Sequence, residues 1–148
     1  MDIVIRKISQ KDKVEFLDMS KAFYSSEAVL HNINNSFHER AFDELMRSET
    51  YLNCYFIEIE NSVVGYALLN KTYSREAGGL VVWVEELYIK PLYQGKGIGG
   101  SFFHWLEANV PARRYRLEIE PENHRAAALY KRKGYQPLPY VQMVRDIK

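Results

Sequence analysis

The chain has 148 residues, enough for one domain with a sizeable core and too few for two comfortable ones. Its 47% hydrophobic and 26% charged residues are ordinary for a globular protein, and 20 basic against 19 acidic residues leave a net charge of +1, without the basic excess that a nucleic-acid partner needs. One cysteine, Cys54, excludes an internal disulfide and a thiolate zinc cluster, and the four histidines, His31, His38, His104 and His124, lack metal-ligand spacing, so no metal is expected.

No apolar run approaches the ~18 residues of a membrane span, and no basic-then-apolar leader opens the sequence, so a cytoplasmic protein without a membrane partner is expected. Residues 2–8 alternate at Ile3 and Ile5 and predict a strand. Ser9 with Asp12 opens a helix to about Phe23, with Phe16, Met19 and Phe23 three to four apart. Residues 24–35 are polar and aromatic with weak periodicity, a loop or a short helix. Ser36 and Glu39 form a capping box for a second helix reaching about Arg47, whose apolar stripe is Phe42, Leu45 and Met46.

Residues 55–60 alternate, Asn61 and Ser62 turn the chain, and residues 63–72 pair back as a hairpin. A turn over 74–79 leads to a strand over 80–89, apolar until Glu85 and Glu86 interrupt it. A helix over 97–109 spaces Ile98, Phe102 and Leu106 by four until Pro111 stops it. Tyr115, Leu117 and Ile119 alternate in another strand. Residues 123–133 form a helix with Asn123 at its start and Gly134 just past its end, and residues 138–147 carry one or two closing strands. The expectation is one α/β domain over 1–148. Its mixed, mostly antiparallel sheet has about six or seven strands, flanked by about four helices, with one parallel strand–helix–strand crossover.

The crossover holds the run Gln94-Gly95-Lys96-Gly97-Ile98-Gly99-Gly100 between strand and helix. Glycines let a ligand approach the backbone, and the helix start aims free N–H groups at one point, which suits a phosphate. Gly95, Gly97 and Gly100 match the dinucleotide pattern G-x-G-x-x-G, with Glu118 and Glu120 about 20 residues on. In that fold, however, the first glycine follows its strand directly and further parallel strands come after. Here residues 91–94 intervene and only 28 residues follow Glu120. No Gly-Lys-Ser/Thr stands at phosphate-loop spacing either.

Gln94-x-x-Gly97-x-Gly99 resembles the acyl-CoA-binding signature Q/R-x-x-G-x-G/A of the GNAT superfamily of N-acetyltransferases. Glu120-Pro121-Glu122-Asn123, followed by Ala126-Ala127-x-Leu129-Tyr130-x-x-x-Gly134-Tyr135, is similar to a second segment of that family, so the matched stretch spans 83–135. The resemblance implies a GNAT-like fold with acetyl-CoA as cosubstrate. Its diphosphate would meet the main chain of Gln94, Gly95, Lys96, Gly97, Ile98, Gly99 and Gly100, with the Lys96 ammonium either a phosphate contact or solvated. The pantetheine arm would pair with the main chain of Leu87 to Ile89 through Tyr88, and lie along Asn123 and Ala126 towards Tyr130.

Asn123 and Tyr130 are two helical turns apart and share a face with Ala126 and Ala127. A phenol with a reference pKa of about 10 can give a proton to a departing thiolate; the residues alone leave Tyr130 as a ring packed in the core beside Leu129, and the resemblance implies it as the acid. An acceptor amine needs the opposite service. With a pKa near ~10.4, about one molecule in a thousand is free base at neutral pH, a penalty of roughly 4–5 kcal/mol. Glu85 is spaced evenly from Leu87 and Ile89, which by alternation puts it on their side of the strand and Glu86 on the other. The run Glu85-Glu86-Leu87-Tyr88-Ile89 is similar to that of polyamine-type family members, which implies Glu85 as base. By the same resemblance Tyr24, His31, Tyr73 and Trp83, with Glu85, line the acceptor site. The expected reaction is direct acetyl transfer from acetyl-CoA to the primary amine of a small molecule. The alternatives are a protein or peptide amine as acceptor, and a non-catalytic acyl-CoA sensor; a homodimer through an edge strand fits either.

Overall fold

The computed structural model describes residues 2–147, so the first and last residues of the expected 1–148 domain lie outside the described residues. Five strands, β1 (Ile3–Lys7), β2 (Leu52–Ile59), β3 (Ser62–Ser74), β4 (Gly79–Ile89) and β5 (Arg114–Leu117), form one sheet in the order β1-β2-β3-β4-β5. The first four pair antiparallel, and β5 joins β4 in parallel after the helix α3 (Ile98–Asn109). Two helices, α1 (Lys13–Tyr24) and α2 (Asn35–Arg47), come between β1 and β2, and α4 (His124–Arg132) follows β5.

Each face of the sheet has its own core. On one, Phe16, Met19 and Phe23 of α1 and Phe42 and Leu45 of α2 bury Cys54, Phe56, Tyr66 and Leu68. On the other, Ile98, Phe102, Phe103 and Leu106 of α3 cover Ile57, Ala67, Leu69, Val82 and Val84. Each fully buried aliphatic or aromatic side chain contributes roughly 1.5–3 kcal/mol of transfer free energy, so both helical layers are held chiefly by burial. Cys54 is a packed thiol at 3% exposure, its pKa pushed up by desolvation.

The hairpin turn at 60–61 takes two left-handed residues, Glu60 and Asn61, the geometry that matches strand twist. Two expectations about helix starts differ in outcome. Ser9 and Asp12 do cap, with Asp12 Oδ2 accepting the Ser9 amide at 2.8 Å, although the first turn is the tighter 3-10 form over Gln10–Asp12. At α2 the cap is Asn34, not Ser36. The Asn34 side chain accepts the Ser36 amide at 2.9 Å, which puts Ser36 inside the helix, and Glu39 pairs instead with Lys13.

The expected six or seven strands are five, because residues 138–147 form no strand. Pro137 and Pro139 remove two backbone donors from the approach. A cavity of about 1040 Å³, lined by β5, α4 and residues 134–138, separates this segment from the outer edge of β5. Val141, Met143 and Val144 are 85–93% exposed there.

Candidate active site

β4 and β5 are neighbours only from Val81 opposite Arg114 to Val84 opposite Leu117, whereas β4 runs on to Ile89. Past Val84 the two strands part, and the β5-side edge of β4 has no strand neighbour among the described residues. A cavity of about 250 Å³ opens there, between the end of β4, the glycine turn, α4 and the loop after α1. Leu87, Tyr88, Ile89, Gln94, Gly95, Gly97, Ile98, Gly99, Gly100, Asn123, Ala126 and Tyr130 all line it. Lys96 is not among the lining residues; its ammonium stands 5.6 Å above the ring of Tyr93.

The turn is built for close approach. Gln94 Nε2 donates to the carbonyl of Ile89 at 2.8 Å, and Arg125 donates to Gln94 Oε1 at 3.2 Å, so one amide ties the strand end to α4. Gly95 and Gly97 have φ of 76° and 81°, a region where a side chain would be strained. Because Gly97 precedes α3, the first amides of the helix have no acceptor within it, and Ser101 is the first to bond back, to the Gly97 carbonyl. A Cβ on Gly99 would lie 3.0 Å from Leu129 Cδ2, and one on Gly95 would lie 3.2 Å from Arg125 Nη2. Free amides, the positive end of a helix and a guanidinium beside the turn make a cradle that fits a diphosphate. Arg125 has no part in the glycine signature. Its place in the first turn of α4, two residues after Asn123, was the available signal.

At Glu85 the strand departs from simple alternation. Leu68 faces Glu86 across the ladder and Leu69 faces Val84, so Glu85 is the extra residue of a β-bulge. The bulge resets the parity: Val82, Val84, Leu87 and Ile89 all pack on the α3 side, while Glu86 and Tyr88 turn to the α1 side. Glu85 therefore does not share a face with Leu87 and Ile89. Its Oε1 accepts Nδ2 of Asn70 at 2.6 Å, and Asn70 follows Tyr66 and Leu68 on the α1 side of β3. Glu86 is 8% exposed, and both its oxygens are taken, by the hydroxyls of Tyr66 at 2.6 Å and Tyr24 at 3.0 Å. Burial raises the pKa of each carboxyl; the Asn70 bond partly offsets this at Glu85 while Glu118 adds to it, and the two tyrosines offset it at Glu86. Of the two, only Glu85 is exposed with an oxygen free of protein donors among the described residues.

Tyr130 reaches the cavity from α4, its ring edge-on to Phe103 at 5.6 Å and 6.1 Å from Tyr135. Burial pushes its phenol above the usual 10, so it stays protonated at neutral pH. Tyr24 is half-buried and committed to Glu86, and Trp83, the cross-strand partner of Asn70, lies under the guanidinium of Arg116 at 4.1 Å. These two share the sheet face of Glu85. His31 is exposed and lines neither cavity, and Tyr73 is 75% exposed near the far end of β4, opposite Leu80. The cavity also takes Leu129 of the second family segment, Phe23, Ser26, Glu27 and Ala28 of the distinctive run 23–31, and Tyr93 and Arg132, which no motif marked. Among the described residues no group of three or more His, Cys, Asp or Glu could hold a metal, and no helix is long and apolar enough to cross a membrane.

Residues 16–135 match the Acetyltransferase (GNAT) family. The chain is 27% identical over 150 aligned positions to the thialysine N-epsilon-acetyltransferase of Mus musculus, with 90% of this chain and 84% of that protein covered. It is 33% identical over 89 positions to a putative [ribosomal protein bS18]-alanine N-acetyltransferase of Bacillus subtilis (strain 168), covering 53% of this chain and 58% of that one. The aminoglycoside N-acetyltransferase AAC(6')-Iy, solved with a bisubstrate analogue, CoA-S-monomethyl-acetylneamine, has the same fold, with a TM-score of 0.80 at 14% identity over the full length of both chains. A family match over most of the chain, together with the parted strands and the glycine turn, establishes that this protein belongs to the GNAT family of acetyltransferases.

Proposed function

We propose that the protein transfers the acetyl group of acetyl-CoA to the primary amine of a small molecule, by direct attack while both substrates are bound. The observation that carries this reading is the continuous lining from the glycine turn past Leu87 and Ile89 to Tyr130, with Glu85 where β4 leaves β5. The amides at the start of α3 and Arg125 receive the diphosphate. The free edge of β4 at Leu87 and Ile89 receives the amide-bearing arm as an added strand would be received. Acetyl-CoA supplies the thioester carbonyl to be attacked.

Glu85 takes one proton from the acceptor's ammonium, which frees the nitrogen lone pair. Tyr130 gives its phenolic proton to the sulfur as the carbon–sulfur bond breaks. No covalent enzyme intermediate is needed. Tyr24 and Trp83 border the acceptor from the Glu85 side. A small acceptor is supported by the mouse relative, whose name specifies thialysine, and by the exposed carboxylate of Glu85, which is not among the cavity's lining residues but follows Val84, where β4 and β5 part. The partial match to a ribosomal-protein alanine acetyltransferase favours a second reading, in which a peptide N-terminus enters the same opening. A cytoplasmic location, and a homodimer through an edge strand, belong to the same reading.

Purified protein with acetyl-CoA and a panel of thialysine, lysine, short diamines, an aminoglycoside and alanine-initiated peptides decides between them, with released thiol as the signal. Release with small amines supports the proposal, and release with peptides alone replaces it by the second reading. Tight acetyl-CoA binding without release from any amine would leave only a sensor.

A further inference from the structure

We propose that Asn70 is a positioning residue for Glu85, holding Oε1 of the carboxylate so that Oε2 alone is free to take the proton of an acceptor amine. The inference rests on the reading of Glu85 as the base. Asn70 lies on β3 one strand away, opposite Trp83, and its Nδ2 donates to Glu85 Oε1 at 2.6 Å. This is a short, charge-assisted hydrogen bond. It is the only bond made to that carboxylate by a protein donor among the described residues.

The other end of the amide makes the case. Asn70 Oδ1 is buried and has no hydrogen-bond partner among the described residues. An ionised carboxylate only accepts, so it selects the amide orientation that turns nitrogen towards it and strands the oxygen. A buried polar atom left unpaired costs stability, and a leucine of similar size would avoid that cost. An amide kept here serves the hydrogen bond to Glu85 rather than the packing.

The bulge explains why a holder is needed. Glu85 is the unpaired residue of the ladder and its side chain is only partly covered, so backbone pairing does not fix it and packing holds it on one side at most. The titratable groups facing it are Glu118 beyond β5, Tyr24 of α1 and Glu86 on its own strand. Glu118 opposes ionisation of Glu85, as burial does, and Tyr24 is spent on Glu86. Asn70 is the one neighbour that favours the carboxylate. When Glu85 acts, an N–H bond of the ammonium breaks, an O–H bond forms at Oε2, and the carboxylate becomes a carboxylic acid still held through Oε1.

The test uses Asn70→Leu, which removes both ends of the amide, and Asn70→Ser, whose hydroxyl is too short to reach Glu85. The Glu85 carboxyl is titrated by carbon NMR without substrate, with Glu85→Gln to assign the signal. In both variants its titration should move to higher pH. The acid limb of kcat/KM for the amine should move with it, giving roughly tenfold lower activity at the acid end, while KM for acetyl-CoA is unchanged. The unfolding midpoint of Asn70→Leu should be no lower than that of the parent. A Glu85 titration unmoved in whichever variant folds, or a lowered midpoint with an unaltered pH profile, would overturn the proposal. Should the parent protein acetylate no amine, the functional reading falls, and the titration still decides the role of Asn70.

Discussion

Replacing Glu85 by Gln removes the proposed base and little else, since a glutamine carbonyl can still accept the Asn70 amide at the same place. The size of the loss follows from the acceptor. A primary ammonium with pKa of about 10.4 is free base in roughly one molecule in a thousand at pH 7.4 and one in ten at pH 9.4. On the proposed reading the parent enzyme uses the abundant ammonium form, with Glu85 removing its proton in the complex. The variant must wait for free amine. Its kcat/KM should therefore fall by about 10²–10³ at pH 7.4, within the usual range for a positioned base, and by no more than about tenfold at pH 9.4. Tyr130 does not confuse the comparison, because burial keeps its phenol protonated across this window. The assay is initial-rate thiol release at saturating acetyl-CoA over pH 6.5 to 9.5. Convergence of the two profiles with a slope of one is the expected signature. A ratio that stays constant over that range, or no loss at pH 7.4, would refute the role of Glu85 as base.

Tyr130→Phe keeps the ring against Phe103 and Tyr135 and should lower kcat about a hundredfold, with the Kd of acetyl-CoA changed less than threefold by calorimetry. Gly65→Ala puts a Cβ 2.2 Å from the carbonyl of Tyr88, so β3 must move away from the stretch of β4 that lines the cavity; thermal unfolding should show at least about 1–3 kcal/mol of destabilisation, and acetyl-CoA binding should weaken. Asp12, at 7% exposure, is held by Arg6 through bonds of 2.8 and 3.0 Å, which lowers its pKa from 3.8 to about 2. A depressed carboxyl stabilises the fold above its unfolded pKa and loses that contribution as pH falls through the folded one. Acid unfolding should thus cost about 2 kcal/mol between pH 4 and pH 2, a component absent from Asp12→Asn.

The sequence made the cofactor side legible because that side depends on local rules. Glycines at positive φ, a helix start and an asparagine cap need only their near neighbours, and Gly95, Gly97 and Asn123 hold those roles. The acceptor side depends on pairings far apart in the chain. Strict alternation put Glu85 with Leu87, but one added residue opposite Leu68 and Leu69 turns Leu87 and Ile89 to the other face, and nothing in residues 80–89 announces that insertion. Asn70 is separated from Glu85 by a whole hairpin arm, and Arg125 from Gln94 by a helix and a strand, so neither could be matched to its partner by spacing. His31 and Tyr73 are a different case: an aromatic or imidazole in a polar stretch is as readily solvated as bound, and both are exposed outside the cavity lining. The closing strands expected over 138–147 are missing: Pro137 and Pro139 remove donors, and a cavity lies between the segment and the outer edge of β5.

The bulge at Glu85 bears on more than one feature of the site. By adding a residue to β4 it restores Leu87 and Ile89 to the α3 side, where they border the cavity, instead of leaving them under α1. Bulges also increase local twist and bend the strand that carries them. β4 loses β5 as a neighbour at Val84, one residue before the bulge, while its pairing with β3 continues on the opposite edge to Ile89. A strand bent away on one side and still anchored on the other presents a row of free backbone groups without exposing a loose edge to the whole solvent. The same residue that opens the slot also carries the carboxylate. The proposed base and the slot proposed for the cofactor arm are therefore registered to each other by backbone geometry, and the one further restraint on the Glu85 side chain is its hydrogen bond from Asn70.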